Sequence, residues 1–292
     1  MKWMLYLLLI LQCIKADTTE QNFGILTEGL NYIQNKDAKI AIKLWISDMS
    51  KAADIHDLKV HYYHNENKVF KEFKTGKITY LALNTLYYLQ NRDYLTPMIK
   101  SIYAFTLTNK PQISYLLVCK KNQKIQSIKD LKHKRIGMQR LDYTEELYLN
   151  HLLLEKKLPN SKYFFRKTIK YESATKPLMK LFFNKVDACI IPDHKWKLAC
   201  EMNPQIKKKL KILNKSPEIF IPAISIISKN IDPKIEIAHT TYAQNLHKNI
   251  RGKQILTLLK SNSYVSINQQ ILQPLIDYYA SFLKYSKSKN GK

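Results

Sequence analysis

The stretch LKVHYYHNENKVFKEFKTGKITYLALNT, residues 58–85, decides the fold class of this chain. It predicts a strand at residues 58–63, a helical turn at 68–73 and a second strand at 78–83. The second strand ends at Asn84 and Thr85, where another helix can start. Strands that alternate with helices are joined by right-handed crossovers and lie parallel in a sheet. The stretch therefore predicts an α/β protein with mostly parallel sheets and helices on both faces.

The same alternation continues on both sides of this stretch. Further strands are predicted at residues 22–26, 113–119, 135–138, 188–191, 211–213 and 224–227, with extended segments at 163–165 and 168–169. Helices are predicted from Asp37, over 145–155, 176–184, 195–202 and 205–210, and at the end over 254–260 and 270–285. No repeat or low-complexity linker divides the chain, so a boundary between domains is expected at crossing strands.

The first sixteen residues have the pattern of a secretory signal peptide. Lys2 precedes an apolar run at residues 4–11, and Ala16 precedes the polar segment that begins at Asp17. A charged start, a short apolar stretch and a small residue before the mature chain are typical of such a signal. We expect cleavage after Ala16 and export to the periplasm, and retention of the segment as an anchor is the open alternative.

Composition excludes several classes of protein. The 292 residues are 45% hydrophobic, which allows a buried core and argues against wholesale disorder. A phosphate-binding loop, a dinucleotide-binding glycine motif, a nucleophile elbow and a zinc-protease helix are all missing from the sequence.

After residue 16 three cysteines remain, Cys119, Cys189 and Cys200, and an odd number cannot all pair within the chain. We expect no disulfide framework, no metal site and no cofactor.

The charge is strongly positive. Lys and Arg number 48 against 23 Asp and Glu, a formal net charge of +25 at pH 7. Such a field favours anions, acidic partners or an anionic surface. The excess is spread along the whole length, and dispersed Lys is often only a solvated face.

Several segments in their order and spacing resemble one family. They are DA at 37–38, LW at 44–45, GKI at 76–78, SYLLV at 114–118, IKDLKHKRI at 128–136, FFNKVDA at 182–188, NPQ at 203–205 and KIL at 211–213. Together they resemble the phosphate/phosphonate-type solute-binding proteins of bacterial ABC importers, which have the type II two-lobe fold. The resemblance covers most of the chain after the signal peptide.

The resemblance implies an architecture and a function. It implies two α/β lobes joined by two crossing strands, with lobe 1 at residues 17–113 and 222–292 and lobe 2 at 114–221. A monomer would capture a small solute, expected to be an oxyanion such as phosphate or a phosphonate, and deliver it to a permease in the inner membrane. A sensory protein that presents its closed form to a membrane-bound kinase or chemoreceptor is the alternative.

Two other functions have less support in the sequence. An enzyme that uses Cys189 or His194 is disfavoured, because no base or nucleophile partner is identifiable by spacing. Nucleic-acid binding is disfavoured by the export signal and by the lack of a basic and aromatic motif.

Candidate ligand-binding residues follow from a general rule. Ligands of open α/β sheets bind beyond the carboxyl ends of the strands, and helix starts there offer free amides to anions. The rule selects Tyr32, Asn84, Thr85, Tyr143, Thr144, Ser173, Thr175, Asp193 and His194. Alternatives remain open for some of these residues. Ser173 and Thr175 could cap a helix, Asp193 and His194 could form a solvated turn, and Tyr32 could lie on the surface.

The sequence departs from the family at one helix start. Phosphonate binders have a Ser/Thr-rich segment there, whereas this chain has RLDYT at residues 140–144. Asp142 is expected to accept the amide hydrogen bonds itself and to repel a dianion unless it is protonated. The fold and the class of function therefore carry over more firmly than the ligand.

Overall fold

The computed structural model describes residues 22–28, 30, 36–55, 58–122 and 124–290, the last four of these by their backbone only. The predicted signal peptide at residues 1–16 and the predicted site residue Tyr32 lie outside the described residues.

Eleven strands form within the described ranges. They are β1 (Asn22–Leu26), β2 (Lys59–Tyr63), β3 (Tyr80–Asn84), β4 (Ile99–Thr106), β5 (Tyr115–Lys120), β6 (Arg135–Gln139), β7 (Lys167–Tyr171), β8 (Ala188–Pro192), β9 (Leu210–Lys215), β10 (Ala223–Ser228) and β11 (Ser263–Ser266).

Twelve α-helices accompany these strands in the described chain. They are α1 (Lys36–Ala53), α2 (Glu66–Lys74), α3 (Thr85–Gln90), α4 (Arg92–Leu95), α5 (Tyr143–Glu155), α6 (Ser161–Phe164), α7 (Lys176–Phe182), α8 (Asp193–Met202), α9 (Pro204–Lys209), α10 (Pro233–Asn245), α11 (Ile250–Leu258) and α12 (Gln269–Asn290). Short 3₁₀ segments cover Thr96–Met98 and Ile128–Leu131. Among the helices described, none is both long and apolar enough to cross a membrane.

The first sheet has six strands in the order β11-β4-β10-β3-β1-β2. Strands β2, β1 and β3 run parallel, as the opening stretch predicts. Strand β10 is antiparallel to both β3 and β4, and Ala223 at its start pairs with Asn84 at the end of β3. The carboxyl ends of β1 to β4 therefore share one edge with the start of β10.

The second sheet has five strands in the order β7-β6-β8-β5-β9. Strands β7, β6 and β8 are parallel, and β5 is antiparallel to its neighbours β8 and β9. Tyr115 at the start of β5 pairs with Pro192 at the end of β8. One edge of this sheet therefore holds the ends of β6, β7, β8 and β9 and the start of β5.

Two segments join the sheets at these edges. Residues 107–114 lead from the end of β4 to the start of β5, and residues 216–222 lead from the end of β9 to the start of β10. Ile113 and Phe220 form an antiparallel bridge between the two segments, with N···O distances of 2.8 and 3.1 Å. The two edges therefore face each other across this pair of crossings. We call this region the junction.

One apolar core is shared by both sheets. A single cluster of buried side chains includes Leu83 of the first sheet, Leu117 of the second, Phe220 of a crossing and Leu275 of α12. Helix α12 packs on α5, with the rings of Tyr278 and His151 4.0 Å apart. Separate clusters cover another face of each sheet.

One predicted element is wrong. Residues 163 and 164, expected to be extended, belong to the short helix α6. Asn160 caps this helix, because its side chain accepts a hydrogen bond from the amide of Lys162. Phe164 is fully buried there, so burial and a local cap override the strand preference of two aromatic residues.

Candidate functional site

The start of α5 is capped by Asp142, as the sequence predicted. Asp142 Oδ1 accepts a hydrogen bond from the backbone amide of Glu145 at 3.0 Å. The Tyr115 hydroxyl donates to the same carboxylate at 2.9 Å, and the Thr144 hydroxyl donates to Oδ1 at 2.9 Å. Thr144, a predicted ligand-binding residue, is fully buried, so its hydroxyl is already bonded inside the protein.

Two carboxyl groups are buried together at this helix start. Burial raises the pKa of Asp142, although the Glu145 amide and the Thr144 and Tyr115 hydroxyls act in the opposite direction. Burial and the charge of Asp142 raise the pKa of Glu145 well above its ordinary value. One Glu145 oxygen accepts from the Gln139 amide, and the other has no hydrogen-bond partner among the described residues. An anion placed here would add charge beside two acidic groups.

Tyr143 connects the two sheets. Its hydroxyl donates to Glu28 Oε1 at 3.4 Å, and its ring meets the ring of Tyr87 edge-on at 5.7 Å between centroids. Glu28 follows β1 and Tyr87 lies in α3, so both belong to the first sheet's side of the junction. Burial, followed by the charge of Glu28, raises the pKa of Tyr143. The hydroxyl therefore stays protonated and able to donate.

Three polar side chains at the junction have buried atoms with no hydrogen-bond partner in the described part of the chain. They are the hydroxyls of Thr85 and Ser114 and both ring nitrogens of His194. Backbone hydrogen bonds connect their surroundings to the two crossings, since the Thr85 amide donates to Pro222 O at 3.2 Å and the Asp193 amide donates to Ser114 O at 2.9 Å. Buried polar groups normally have partners, so groups without one call for an explanation such as a bound ion or water.

Asp193 and His194 behave differently although they are neighbours at the start of α8. Asp193 Oδ2 forms ion pairs with Lys215 Nζ at 2.9 Å and Lys197 Nζ at 3.3 Å. Burial raises the Asp193 pKa, but these two cations lower it by more. Burial and the charge of Lys195 lower the pKa of His194 to about 4, so its imidazole is neutral at pH 7. The ring thus offers one donor and one acceptor.

Asn84, Ser173 and Thr175 complete the predicted set. Asn84 caps α3, since its side-chain oxygen accepts from the Leu86 amide at 2.8 Å. Thr175 is the N-cap residue of α7 but makes no side-chain cap hydrogen bond, so the capping alternative is wrong for Thr175. Ser173 is exposed in the turn that follows β7.

Other chemistry has little support at the junction. Cys189 is fully buried, and burial raises its pKa well above the ordinary value, so its thiol is a poor nucleophile. Among the described residues, no group of three or more His, Cys, Asp or Glu could hold a metal ion. A cavity of about 490 Å³ lies between the end of α1 and α10, where Lys234, Ile237 and Tyr242 line it. None of the predicted site residues lines that cavity.

Sequence reasoning missed Glu28, Tyr87 and Ser114. Each could have been found by its position, since Glu28 lies two residues after β1, Tyr87 lies in the first turn of α3 and Ser114 precedes β5. The prediction considered only residues in loops that follow a strand or at the start of a helix, and in the loop after β1 it selected Tyr32. It therefore left out the antiparallel strand β5, whose start shares the edge.

A family model described as "ABC transporter, phosphonate, periplasmic substrate-binding protein" matches residues 33–271. The chain belongs to this family. The match confirms the resemblance on which the sequence analysis relied, and with it the class of function: this binding protein is of the kind that serves an ABC transporter in the periplasm. Its family is one of transporter components.

Several solved structures have a similar fold. A binding-protein component of a phosphonate ABC transporter from Pseudomonas aeruginosa has a TM-score of 0.63 at 15% identity, over 91% of this chain and 87% of that one. A Prochlorococcus marinus protein in complex with methylphosphonate has a TM-score of 0.62 at 15% identity, over 91% of this chain and 100% of that one. A Xanthomonas citri protein bound to chloride ion has a TM-score of 0.65 at 11% identity, over 93% and 100%.

At these identities the likeness shows the fold, and it confirms the predicted α/β class of the type II periplasmic binding proteins. Both sheets of this binding protein are mixed, with the antiparallel strands next to the crossings. A search of curated proteins found no match.

Proposed function

We propose that this binding protein captures a small solute at the junction and delivers it to the permease of an ABC importer in the inner membrane. Residues 17–113 and 222–292 form lobe 1 in this proposal, and residues 114–221 form lobe 2. Residues 1–16 direct export to the periplasm and are removed after Ala16. The protein acts as a monomer and catalyses no reaction.

The observation that carries the proposal is the set of unpartnered polar groups at the junction. Thr85, Ser114 and His194 have buried donors or acceptors with no partner among the described residues, and they come from both sides of the junction. A polar solute held there would bond to both lobes at once. Binding of this kind stabilises the closed arrangement, because the ligand has a higher affinity for the closed state than for the open one.

An oxyanion such as phosphate or a phosphonate is the proposed class of solute. The net charge of +25 attracts anions toward the protein. Methylphosphonate is the ligand of the Prochlorococcus marinus protein of similar fold. The buried Asp142 argues that the charged oxygens lie away from the first turn of α5, nearer to the neutral donors Thr85 and His194.

A thermal-shift screen tests this function. The chain from residue 17 onward is heated with phosphate, phosphite, methylphosphonate, sulfate, other oxyanions, amines and vitamins. A ligand at 100 times its dissociation constant stabilises the folded state by about 2.7 kcal/mol. We expect a shift with an oxyanion that is lost in Thr85→Val and kept in Thr257→Val, whose hydroxyl bonds a helix carbonyl. Silence across the panel, or an equal shift in both variants, contradicts the proposal.

A further inference from the structure

The charge of this protein is concentrated at one end of the second sheet. Four segments precede or follow strands there, at residues 120–122 with 124–135, 156–167, 183–187 and 203–211. They contain 17 Lys and Arg residues against two Asp residues, a net charge of +15 out of +25 for the chain. The segments are far apart in sequence, so their charge looks dispersed until the chain is folded. We call them together the basic pole.

The strand register brings the four segments to one place. Lys120 at the end of β5 pairs with Leu210 at the start of β9, and β6, β7 and β8 all begin at this edge. Backbone hydrogen bonds connect the segments directly. The Lys121 amide donates to Lys209 O at 2.9 Å, and the Arg166 amide donates to Lys134 O at 3.0 Å.

The basic pole is not neutralised from within. Asp187 pairs with Arg135 at 2.8 Å, and Asp130 accepts from the backbone amides of Gln126 and Ser127. In the part of the chain that the structure describes, no lysine of the pole forms an ion pair. The lysine ion pairs lie elsewhere, as at Lys100 with Glu236 and Lys110 with Glu218. The positive field at the pole is therefore available to a partner.

Large apolar side chains project among these lysines. Tyr163 is 72% exposed and Phe183 is 60% exposed, and Met202, directly before the last segment, is 80% exposed. Lys162 Nζ lies 5.7 Å from the centre of the Tyr163 ring. Aromatic rings beside lysines suit a water–lipid interface, where the ring enters the headgroup layer and the ammonium groups stay in water.

We propose that the basic pole docks this protein on the surface of an anionic phospholipid membrane. The pole has 15 Lys and only two Arg. Arg is suited to the bidentate recognition of one defined carboxylate or phosphate, whereas flexible Lys point charges suit a surface of diffuse negative charge. Clusters of lysines with exposed aromatic side chains are attracted to anionic lipid and released by salt.

The geometry leaves the junction free during docking. Strand β5 runs from the junction at Tyr115 to the pole at Lys120, and six residues span about 20 Å. A protein that rests on lipid through the pole keeps its ligand-binding edge away from the bilayer. Docking in this way would hold the binding protein near membrane partners without blocking the exchange of solute.

Vesicle flotation tests the proposal. The chain from residue 17 onward excludes the apolar run at 4–11 and is mixed with vesicles of phosphatidylcholine alone or with about 30% phosphatidylglycerol. We expect binding to the anionic vesicles at about 0.05 M salt and loss of it at about 0.5 M salt. Equal binding to both vesicle types, or none to either, overturns the proposal.

Charge-reversed variants distinguish binding through the basic pole from binding that depends only on net charge. K207E, K208E and K209E together change three exposed lysines of the pole, and K43E, K248E and K253E together make the same change of charge on exposed lysines elsewhere. We expect the first triple variant to bind anionic vesicles at least tenfold more weakly and the second to stay within about twofold of the parent. Equal losses in both would assign the binding to net charge and overturn the proposal.

A final pair of measurements distinguishes lipid from other polyanions. Y163S with F183S keeps every charge of the pole and removes its two exposed rings. We expect at least threefold weaker binding to anionic vesicles and unchanged binding to heparin, which has no apolar layer. Unchanged vesicle binding in this variant would show a general polyanion surface and overturn docking on lipid. Unchanged thermal unfolding confirms that the variants are folded.

Discussion

Asp142 Oδ1 lies 3.0 Å from the backbone nitrogen of Glu145, so α5 begins on a carboxylate of its own chain. The same carboxyl group accepts from Tyr115 of β5, which ties the helix start to the sheet. The family model is described by phosphonate, yet in this chain the helix start already holds an acidic group of the protein itself.

Replacing the Asp142 carboxyl group by a neutral amide is expected to strengthen the binding of a dianion. Asp142→Asn keeps an acceptor for the Glu145 amide and removes the charge, so the affinity for methylphosphonate is expected to rise roughly tenfold, or about 1.4 kcal/mol. Isothermal titration calorimetry of the parent and the variant measures this. An unchanged affinity would mean that the anion binds far from α5.

Removing the cap altogether is expected to destabilise the fold. Asp142→Ala leaves the Glu145 amide and the buried Tyr115 hydroxyl without their acceptor, at a cost of about 2 kcal/mol. Asp142→Asn is the matched control and is expected to cost less than about 1 kcal/mol. Urea unfolding at pH 7 gives both values, and equal costs would contradict the importance of the hydrogen bonds.

The Thr85 hydroxyl is expected to bind ligand but to destabilise the ligand-free protein. Its hydroxyl is buried without a described partner, so Thr85→Val is expected to stabilise the ligand-free protein by about 1 kcal/mol. Thr144→Val is the control, because the Thr144 hydroxyl is bonded to Asp142 and its loss should destabilise by a similar amount. If both variants change the unfolding free energy in the same direction, the Thr85 hydroxyl has a partner in solution.

Much of the fold followed from local pattern, and the exceptions have physical causes. Strand β1 lies where predicted at residues 22–26, and β3, β6 and β8 lie within two residues of their predictions. Strands β4 and β11 were missed. Tyr103 and Tyr264, one in each of these strands, pack on His239, a residue far from β4 in sequence. Their strand structure depends on that tertiary contact, which local pattern cannot show.

The site followed from the sequence less completely than the fold. The rule that ligands bind beyond the carboxyl ends of strands selected Thr85, Tyr143 and His194, which the fold brings to the junction. The same rule could not tell that Thr144 turns inward or that Asp193 is held by two lysines. Part of each difference comes from elsewhere in the chain, since Tyr115 of β5 bonds the Thr144 hydroxyl and Lys215 of β9 joins Lys197 of the same helix at Asp193.

His239 is expected to make the protein sensitive to acid. Its ring is fully buried among Trp45, Tyr80, Tyr103 and Tyr264, and burial lowers its pKa to about 4 from the ordinary 6.5. Between pH 6.5 and 4 the His239 imidazole binds a proton in the unfolded chain but not in the folded one. The free energy of unfolding therefore falls by about 3 kcal/mol in total as the pH is lowered through this range.

His239→Phe removes this titration and retains an aromatic ring in the cluster. We expect the variant to lose less stability than the parent between pH 6.5 and 4, with similar stability at pH 7. Thermal unfolding across this pH range provides the comparison. Parallel curves for the two proteins would show that other groups cause the acid sensitivity.

Thiol reactivity is expected to distinguish one cysteine from two others. Burial raises the pKa of all three thiols, but Cys119 and Cys189 are fully buried in β5 and β8, whereas Cys200 is partly exposed. In the chain from residue 17, Ellman's reagent should modify one thiol quickly in the native protein and all three after denaturation. Cys200→Ser should abolish the fast reaction, and a remaining fast thiol would show that the strands open readily.

Because the two sheets share one core, the folding of both depends on α12. Leu272, Leu275 and Ile276 of α12 complete the apolar cluster that both sheets share. Neither sheet has its full core until these residues have been synthesised, so a nascent chain stays incompletely folded until α12 is available. A polypeptide that must pass through a narrow export channel before it folds gains time from this arrangement.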